Sequence, residues 1–330
     1  MFKESIDCID AGTEFCPCHL AESGECIICS QLHGSHFCDC LNWKGVCIYQ
    51  EFHDNDNKAK KSRKTYTCTV IESELHEGDV LLIRFIAPHK LVMDLAGPGS
   101  YVFVRTEDNV YFDVPISILD SNIESNIISI MIEIRGIKTK KLLDIKKGGN
   151  IIIRGPYWNG VFGINNIKKK VNNDVIVLAR GIGMAPMIPV LQKLVSNNNK
   201  VTLILDRQPY KNIYVTEWLE KLNIVPQEMN LIDRGDLSAE SKLTIKSLIK
   251  YNDISLIHVA GADILTYSLI DYLNELERND IDLSCCNNFR LCCGEGICGS
   301  CTTRYSGGRV KRYCKVQAEP RSIFKGRRLI

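Results

Sequence analysis

Between residues 65 and 158 apolar and polar positions alternate in six short runs: TYTCTVIESEL, DVLLIRFIAP, SYVFVRT, YFDVPISIL, IISIMIEIRG and NIIIRGPYW. Each is rich in Val, Ile, Tyr or Phe and is bounded by Gly, Pro, Asn or Asp, as strands joined by turns are. One short helix fits between them, at TKKLLDIK (139–146), so the run predicts an antiparallel barrel. After residue 170 the rhythm changes. The apolar runs DVIVLAR, VTLILDR and ISLIHVAG predict buried strands, and helix-period segments such as LTIKSLIKYN and DILTYSLIDYLNELE separate them. That alternation predicts a parallel sheet covered by helices.

The two ends follow neither pattern, and cysteine marks both. Of sixteen cysteines, eight lie in residues 8–47, seven in 285–314, and only Cys68 between. The segment HDNDNKAKKSRK (53–64) is polar and without apolar period, and reads as a linker. The expected fold class is therefore α+β multidomain. A Cys-rich metal or Fe–S module spans 1–52 and the linker 53–64. An antiparallel β-barrel spans 65–163, an α/β parallel-sheet nucleotide domain 170–283, and a small C-terminal cysteine module 284–330.

Composition narrows the function classes. The chain has 330 residues, 45% hydrophobic and 24% charged, an ordinary globular balance. A net charge of +2 gives no ground for expecting nucleic acid. No apolar run reaches the roughly 20 residues that span a bilayer, and the first residues lack a signal peptide's basic start and apolar stretch. A cytoplasmic protein without membrane contact is expected. Thiols stay reduced there, so the cysteines point to metal rather than disulfides.

Cys293, Cys298 and Cys301 are spaced C-x4-C-x2-C, and Cys314 follows twelve residues on. This is the plant-type ligand spacing of a [2Fe–2S] cluster. Three thiolates within nine residues force a tight wrap, which Gly294, Gly296 and Gly299 permit. Zinc knuckles more often carry two C-x2-C arms, and here there is one. Cys292 is an adjacent spare, whereas Cys285 and Cys286 read as core residues. Upstream, Gly181 and Gly183 in VLARGIGMAPMIPVL follow a strand and precede a helix, where a dinucleotide phosphate can approach the backbone. Asp206, at the end of the next strand, is placed to bind an adenosine ribose and favour NADH. Its neighbour Arg207 could instead serve the 2′-phosphate of NADPH.

In this order, barrel, nucleotide domain and C-x4-C-x2-C-x12-C, residues 65–330 resemble the electron-transfer subunit of dihydroorotate dehydrogenase, within the ferredoxin–NADP reductase superfamily. GPGSYVFVR (97–105), VPISI (114–118), the 135–162 stretch with its G-x-x-T and G-P-x-x-N-G turns, GIGMAP (181–186) and AGADIL (260–265) carry the likeness. The resemblance implies hydride transfer from NAD(P)H to FAD, then single electrons through [2Fe–2S] to a protein acceptor or catalytic subunit. It implies that Pro115, Ile116 and Ser117 line the flavin ring, with Ser117 as the catalytic contact near N5. Gly136 and Thr139 would hold the pyrophosphate, and Gly181 and Gly183 the nicotinamide nucleotide. The family's flavin-motif arginine is Val114 here, preceded by Asp113. Losing that phosphate clamp costs roughly 1–3 kcal/mol of binding. Arg135, Lys138 or Lys140 are possible replacements, and Trp158 a possible flavin cap.

The resemblance does not reach the N-terminal module. Its Cys16, Cys18, Cys26, Cys29, Cys38, Cys40 and Cys47, with Cys8 upstream, suit an additional Fe–S cluster, structural zinc, or a thiol-rich docking segment. About fifty residues with few large apolar side chains need a metal to fold. Two other functions stay open: an Fe–S relay without flavin, and a sulfide dehydrogenase or NADH:ferredoxin reductase-like enzyme.

Overall fold

A computed structural model describes residues 7–38, 43–77, 79–108, 113–304 and 310–324. It forms two compact units, one of residues 1–64 with 289–323 and the other of residues 65–288 with 324–330. With strands numbered in chain order, β1 (Asp7–Cys8) opens the first unit. The six alternating runs become β2 (Lys64–His76), β3 (Val80–Ile86), β4 (Tyr101–Arg105), β5 (Val114–Asn122), β6 (Ile127–Glu133) and β7 (Asn150–Tyr157). They close into a barrel in the order β2-β3-β6-β5-β4-β7. Alternation decides which side chains go inside: Ile83, Phe85, Val102, Val104, Ile118, Ile128, Ile130 and Ile153 are buried together. The expected helix at 139–146 is a short α-turn, Ile137–Lys141, continued as a 3-10 turn through Asp144.

β8 (Val161–Phe162), β9 (Asp174–Arg180), β10 (Lys200–Asp206) and β11 (Gln227–Glu228) lead into the second sheet. A small hairpin of β12 (Ile232–Asp233) and β13 (Asp236–Leu237) precedes β14 (Ile254–Ala260) and β15 (Asp282–Cys286). The sheet runs β11-β10-β9-β14-β15-β8, parallel except for the β15–β8 pair. Its helices follow their apolar spacing. In Ala239–Tyr251, Ile245 and Ile249 face inward, and the Ser238 hydroxyl caps the start by accepting the Ser241 N–H at 3.1 Å. Cys285 and Cys286 lie on β15 and are buried, as core residues should be. Strand β15 thus belongs to the nucleotide domain's sheet, and the cysteine segment proper starts only after residue 288.

The first unit departs from the sequence reading. Its two cysteine-rich segments fold together instead of forming separate modules. β18 (Val316–Gln317) pairs antiparallel with β1, Cys8 opposite Val316, and the Ile9 N–H donates to the Lys315 carbonyl at 2.9 Å. β16 (Thr302–Arg304) and β17 (Val310–Arg312) form a hairpin beside them. Residues 53–64 are not a loose linker either. The helix Ile48–Asp54 runs into them, the Ala59 N–H donates to Glu22 at 2.7 Å, and Arg63 is buried. Two of the charges that look solvated in sequence are paired within the unit, Lys60 with Glu51 and Arg63 with Asp10 and Glu295. No helix among the described residues is long and apolar enough to cross a membrane.

Candidate functional site

Within the second unit a cleft of about 590 Å³ opens between barrel and sheet. Pro115, Ile116 and Ser117 line it from β5, with Ser117 in register opposite Tyr101 of β4. Gly181 and Gly183 line it from the turn after β9. Strand–turn–helix geometry places both glycines where β9 ends. Gly181 has φ +58°, which favours glycine. Gly183 has a packing reason as well, because a Cβ there would stand 2.1 Å from the Ala260 carbonyl oxygen.

Polar groups from several elements reach the same cleft: Glu133, Arg135, Arg180, Tyr210, Asp263 and Asn288. Arg135 pairs with Glu133 at 2.7 Å. Burial raises the Tyr210 phenol above its ordinary pKa, and the Glu133 carboxylate adds to the rise. Sequence reasoning missed Glu133, Tyr210 and Asn288, which lie outside every motif and meet only in the folded chain.

Other expected residues sit elsewhere. Asp206 is 2% exposed, and its carboxylate accepts from Arg180 Nε (2.9 Å), Leu231 N (3.0 Å) and Gln208 N (3.0 Å). It anchors the chain leaving β10 and does not line the cleft, whereas its partner Arg180 does. The Thr139 hydroxyl closes its own turn, accepting from the N–H groups of Arg135 (3.0 Å) and Gly136 (3.1 Å). Neither Gly136 nor Thr139 is among the residues that line the cleft. Trp158 Nε1 donates to the Asp94 carbonyl at 2.7 Å, a packing role. Asp113, beside Val114, is held by Arg105 (2.9 Å) and by Arg154 (2.8 Å), whose guanidinium also lies 4.4 Å above the Phe103 ring. Two cations on one carboxylate leave that corner positive although the motif arginine is missing. His258 is a strand residue, its Nδ1 2.8 Å from the Ser284 hydroxyl.

In the first unit Cys293, Cys298, Cys301 and Cys314 come together. Cys314 is within hydrogen-bond reach of Cys293 and Cys301, and Cys298 of Cys293. Gly294, Gly296 and Gly299 all have positive φ and turn backbone N–H groups inward. Glu295 N lies 3.3 Å from the Cys293 sulfur, and Cys314 N 3.4 Å from the Cys301 sulfur. The Cys314 hydrogen bond, followed by the backbone N–H groups of Cys298, Glu295 and Ile297, lowers the Cys293 pKa to about 4. Cys301 falls to about 7, again chiefly through Cys314. Cys293 and Cys301 are thus the two sulfurs biased toward thiolate, the form that binds metal, whereas Cys314, which shares its proton with them, and Cys298 are raised. Among the described residues no three His, Cys, Asp or Glu side chains could hold a single ion. A two-iron cluster needs only two thiolates on each iron.

Beside the loop lies a buried quartet absent from the sequence reading. Arg63 donates to Asp10 (2.6 Å) and Glu295 (2.8 Å), and Lys315 donates to Asp10 and, at 3.2 Å, to Glu295. Burial would raise both carboxyls, but Lys315 and Arg63 outweigh it and hold them below their ordinary pKa values. Glu295 and Lys315 are visible as neighbours of the ligand cysteines. Asp10 and Arg63 arrive from the other end of the chain.

The N-terminal cysteines divide. Cys8, Cys16, Cys18 and Cys26 line one small pocket. Cys29 packs against the apolar cluster of Ala21, Leu32, Ile48 and Phe52, Cys38 is exposed, Cys47 precedes the helix Ile48–Asp54, and Cys40 lies outside the described residues.

No protein-family profile matches the chain. Curated relatives do. The dihydroorotate dehydrogenase B (NAD(+)) electron transfer subunit of Clostridium acetobutylicum is 26% identical over 235 residues, 71% of this chain and 86% of its own. That of Desulforamulus reducens is 25% identical over 261 residues, covering 73% and 94%. Among solved structures, an NADH-dependent reduced ferredoxin–NADP oxidoreductase superposes with a TM-score of 0.60 at 20% identity, over 77% of this chain and 86% of that one. A Plasmodium falciparum ferredoxin–NADP+ reductase gives 0.50 at 16% identity, over 67% and 96%. In fold the chain is thus ferredoxin–NADP reductase-like, and in sequence it resembles the electron transfer subunit of dihydroorotate dehydrogenase B.

Proposed function

We propose that the chain is the electron-transfer subunit of an iron–sulfur flavoprotein, taking electrons from NAD(P)H through FAD and [2Fe–2S] to a protein partner. The observation that carries this reading is the single cleft in which Pro115–Ser117 face Gly181–Gly183. Flavin and cluster, when bound, supply the conversion of a two-electron donor into one-electron steps. The chain's own residues bind and orient. Pro115, Ile116 and Ser117 form a wall for a flat ring, and the Ser117 hydroxyl is the polar group on that wall. Gly181 and Gly183 let a nucleotide lie against backbone. Arg135 and Arg180 supply cations for phosphate, and the pairing of Asp113 with Arg105 and Arg154 removes a carboxylate that would oppose it. Cys293, Cys298, Cys301 and Cys314 hold the cluster, with the N–H groups of Glu295 and Cys314 supporting two of its sulfurs.

An anaerobic NADH titration followed by visible absorption tests the reading. Bleaching of a flavin band is the expected result. Cluster absorbance without flavin, unmoved by NADH, would instead favour a flavin-free relay, the reading that Val114 in the arginine's place supports.

A further inference from the structure

We propose that Cys8, Cys16, Cys18 and Cys26 hold a second iron–sulfur cluster, of the four-iron type, beside the C-terminal cysteine loop. The first observation is convergence. These four side chains line one pocket whose other walls include Leu20, Ala21, Ile28 and Ile48. Cys16 and Cys26 each lie within electrostatic reach of Cys18, as does Cys8. Cys8 enters from β1, whereas the other three come from the loops around the helix His19–Glu22. The remaining N-terminal cysteines among the described residues, Cys29, Cys38 and Cys47, do not line the pocket.

Burial keeps all four thiols above their ordinary pKa, so a metal bound here would have to displace their protons, and one of the sulfurs has a backbone donor. The Cys29 N–H stands 3.4 Å from the Cys26 sulfur. Hydrogen bonds to sulfur are one of the means by which proteins tune iron–sulfur clusters.

The metal type follows from the spacing. Tetrahedral zinc draws its ligands round one ion at about 2.3 Å from each sulfur. No three such side chains close on a point among the described residues. A four-iron cluster asks one thiolate of each iron and supplies the remaining ligands as inorganic sulfide. Four thiols spread round an apolar pocket suit that demand.

Position gives the site its use. A Cβ at Gly296, in the C-terminal loop, would meet Leu20 Cγ at 3.1 Å, and Leu20 lines the thiol pocket. Leu20 therefore touches both the thiol pocket and the C-terminal cysteine loop. Were both cysteine sets to hold their clusters, Leu20 would lie between them, and an electron could pass from the two-iron site to the four-iron site and on to a redox protein, one site losing and the other gaining one unit with no bond or proton changing hands. The relay rests on the function proposed above; the ligand set does not.

Anaerobically purified full-length protein is assayed for iron, acid-labile sulfide and zinc, with Mössbauer and EPR spectra. The wild type is expected to hold about six irons and six sulfides per chain. Cys8→Ser with Cys18→Ser is expected to leave about two, with the [2Fe–2S] signal intact, and Cys29→Ser with Cys47→Ser to keep all six. Two irons and a zinc in the wild type, or loss of the four-iron signal in the Cys29/Cys47 variant, overturns this proposal alone. Absence of iron overturns it together with the proposed function. Should the Cys8/Cys18 variant not fold, the wild-type metal count and Mössbauer spectrum still decide.

Discussion

Glu295 stands between Cys293 and Cys298 and answers two buried cations, Arg63 and Lys315. Replacing it by Gln keeps its volume but leaves those cations facing Asp10 alone. Breaking a buried ion pair from one side costs roughly 3–5 kcal/mol, because the charge left behind has neither water nor partner. Glu295→Gln is expected to lose that much in a urea denaturation series, and adding Lys315→Met to restore part of it. A single variant within about 1 kcal/mol of wild type would show that water reaches the quartet. Gly183 and Gly181 give a contrast at the same scale. A methyl at 183 meets the Ala260 carbonyl oxygen at 2.1 Å, whereas one at 181 meets the Gln208 carbonyl at 3.1 Å with φ +58°. The first must push two strands apart, while the second mainly strains its own backbone by about 1 kcal/mol. Gly183→Ala should lower the denaturation midpoint more than Gly181→Ala. The reverse order would make the ligand-facing role of Gly183, not packing, the reason for that glycine.

Strand β14 carries a proton-linkage prediction. His258 is fully buried, and burial lowers its pKa from 6.5 to about 3. The unfolded chain takes up this proton near pH 6.5, while the folded chain refuses it until about pH 3. The unfolded state therefore binds more protons across that window, and stability falls as pH drops through it, by about 1.4 kcal/mol per unit for one group. His258→Gln, which can keep a hydrogen bond to Ser284, should show a shallower acid limb between those limits. Parallel curves for variant and wild type would mean that His258 charges within the folded strand. The barrel and the sheet were legible because burial imposes its period on the sequence: β3 reads VLLIRFI and β9 reads DVIVLAR without ambiguity. Contacts made by polar residues across long separations were not. Arg63 looked like one charge in a solvated run, and Asp206 like a ribose ligand, because a formal charge does not reveal its partner. The convergence of the C-terminal cysteines was readable for the opposite reason, since their spacing is local and their glycines sit between them.

At the scale of the whole chain, residues 1–64 and 289–323 form one unit although more than two hundred residues separate them. Three kinds of contact join them: the β1–β18 pairing, the buried quartet, and the Arg312–Glu25 pair at 2.5 Å. The N-terminal segment therefore does more than append a second set of thiols. Removing residues 1–64 takes away Asp10 and Arg63 and leaves Glu295 and Lys315 with half their partners, while Cys314 loses the strand that flanks its exit. The barrel and nucleotide sheet lose only Lys64, the first residue of β2. A chain of residues 65–330 is thus expected to keep cooperative unfolding of the barrel and sheet, but to hold far less iron at Cys293, Cys298, Cys301 and Cys314 than full-length protein does. Iron content and the reduced-state EPR signal of both proteins, purified side by side without oxygen, check this. Equal [2Fe–2S] content would mean that the cysteine loop closes by itself and that the N-terminal segment is needed only for its own thiols. Loss of the cluster with the rest of the fold intact would identify the segment as half of the cluster's housing.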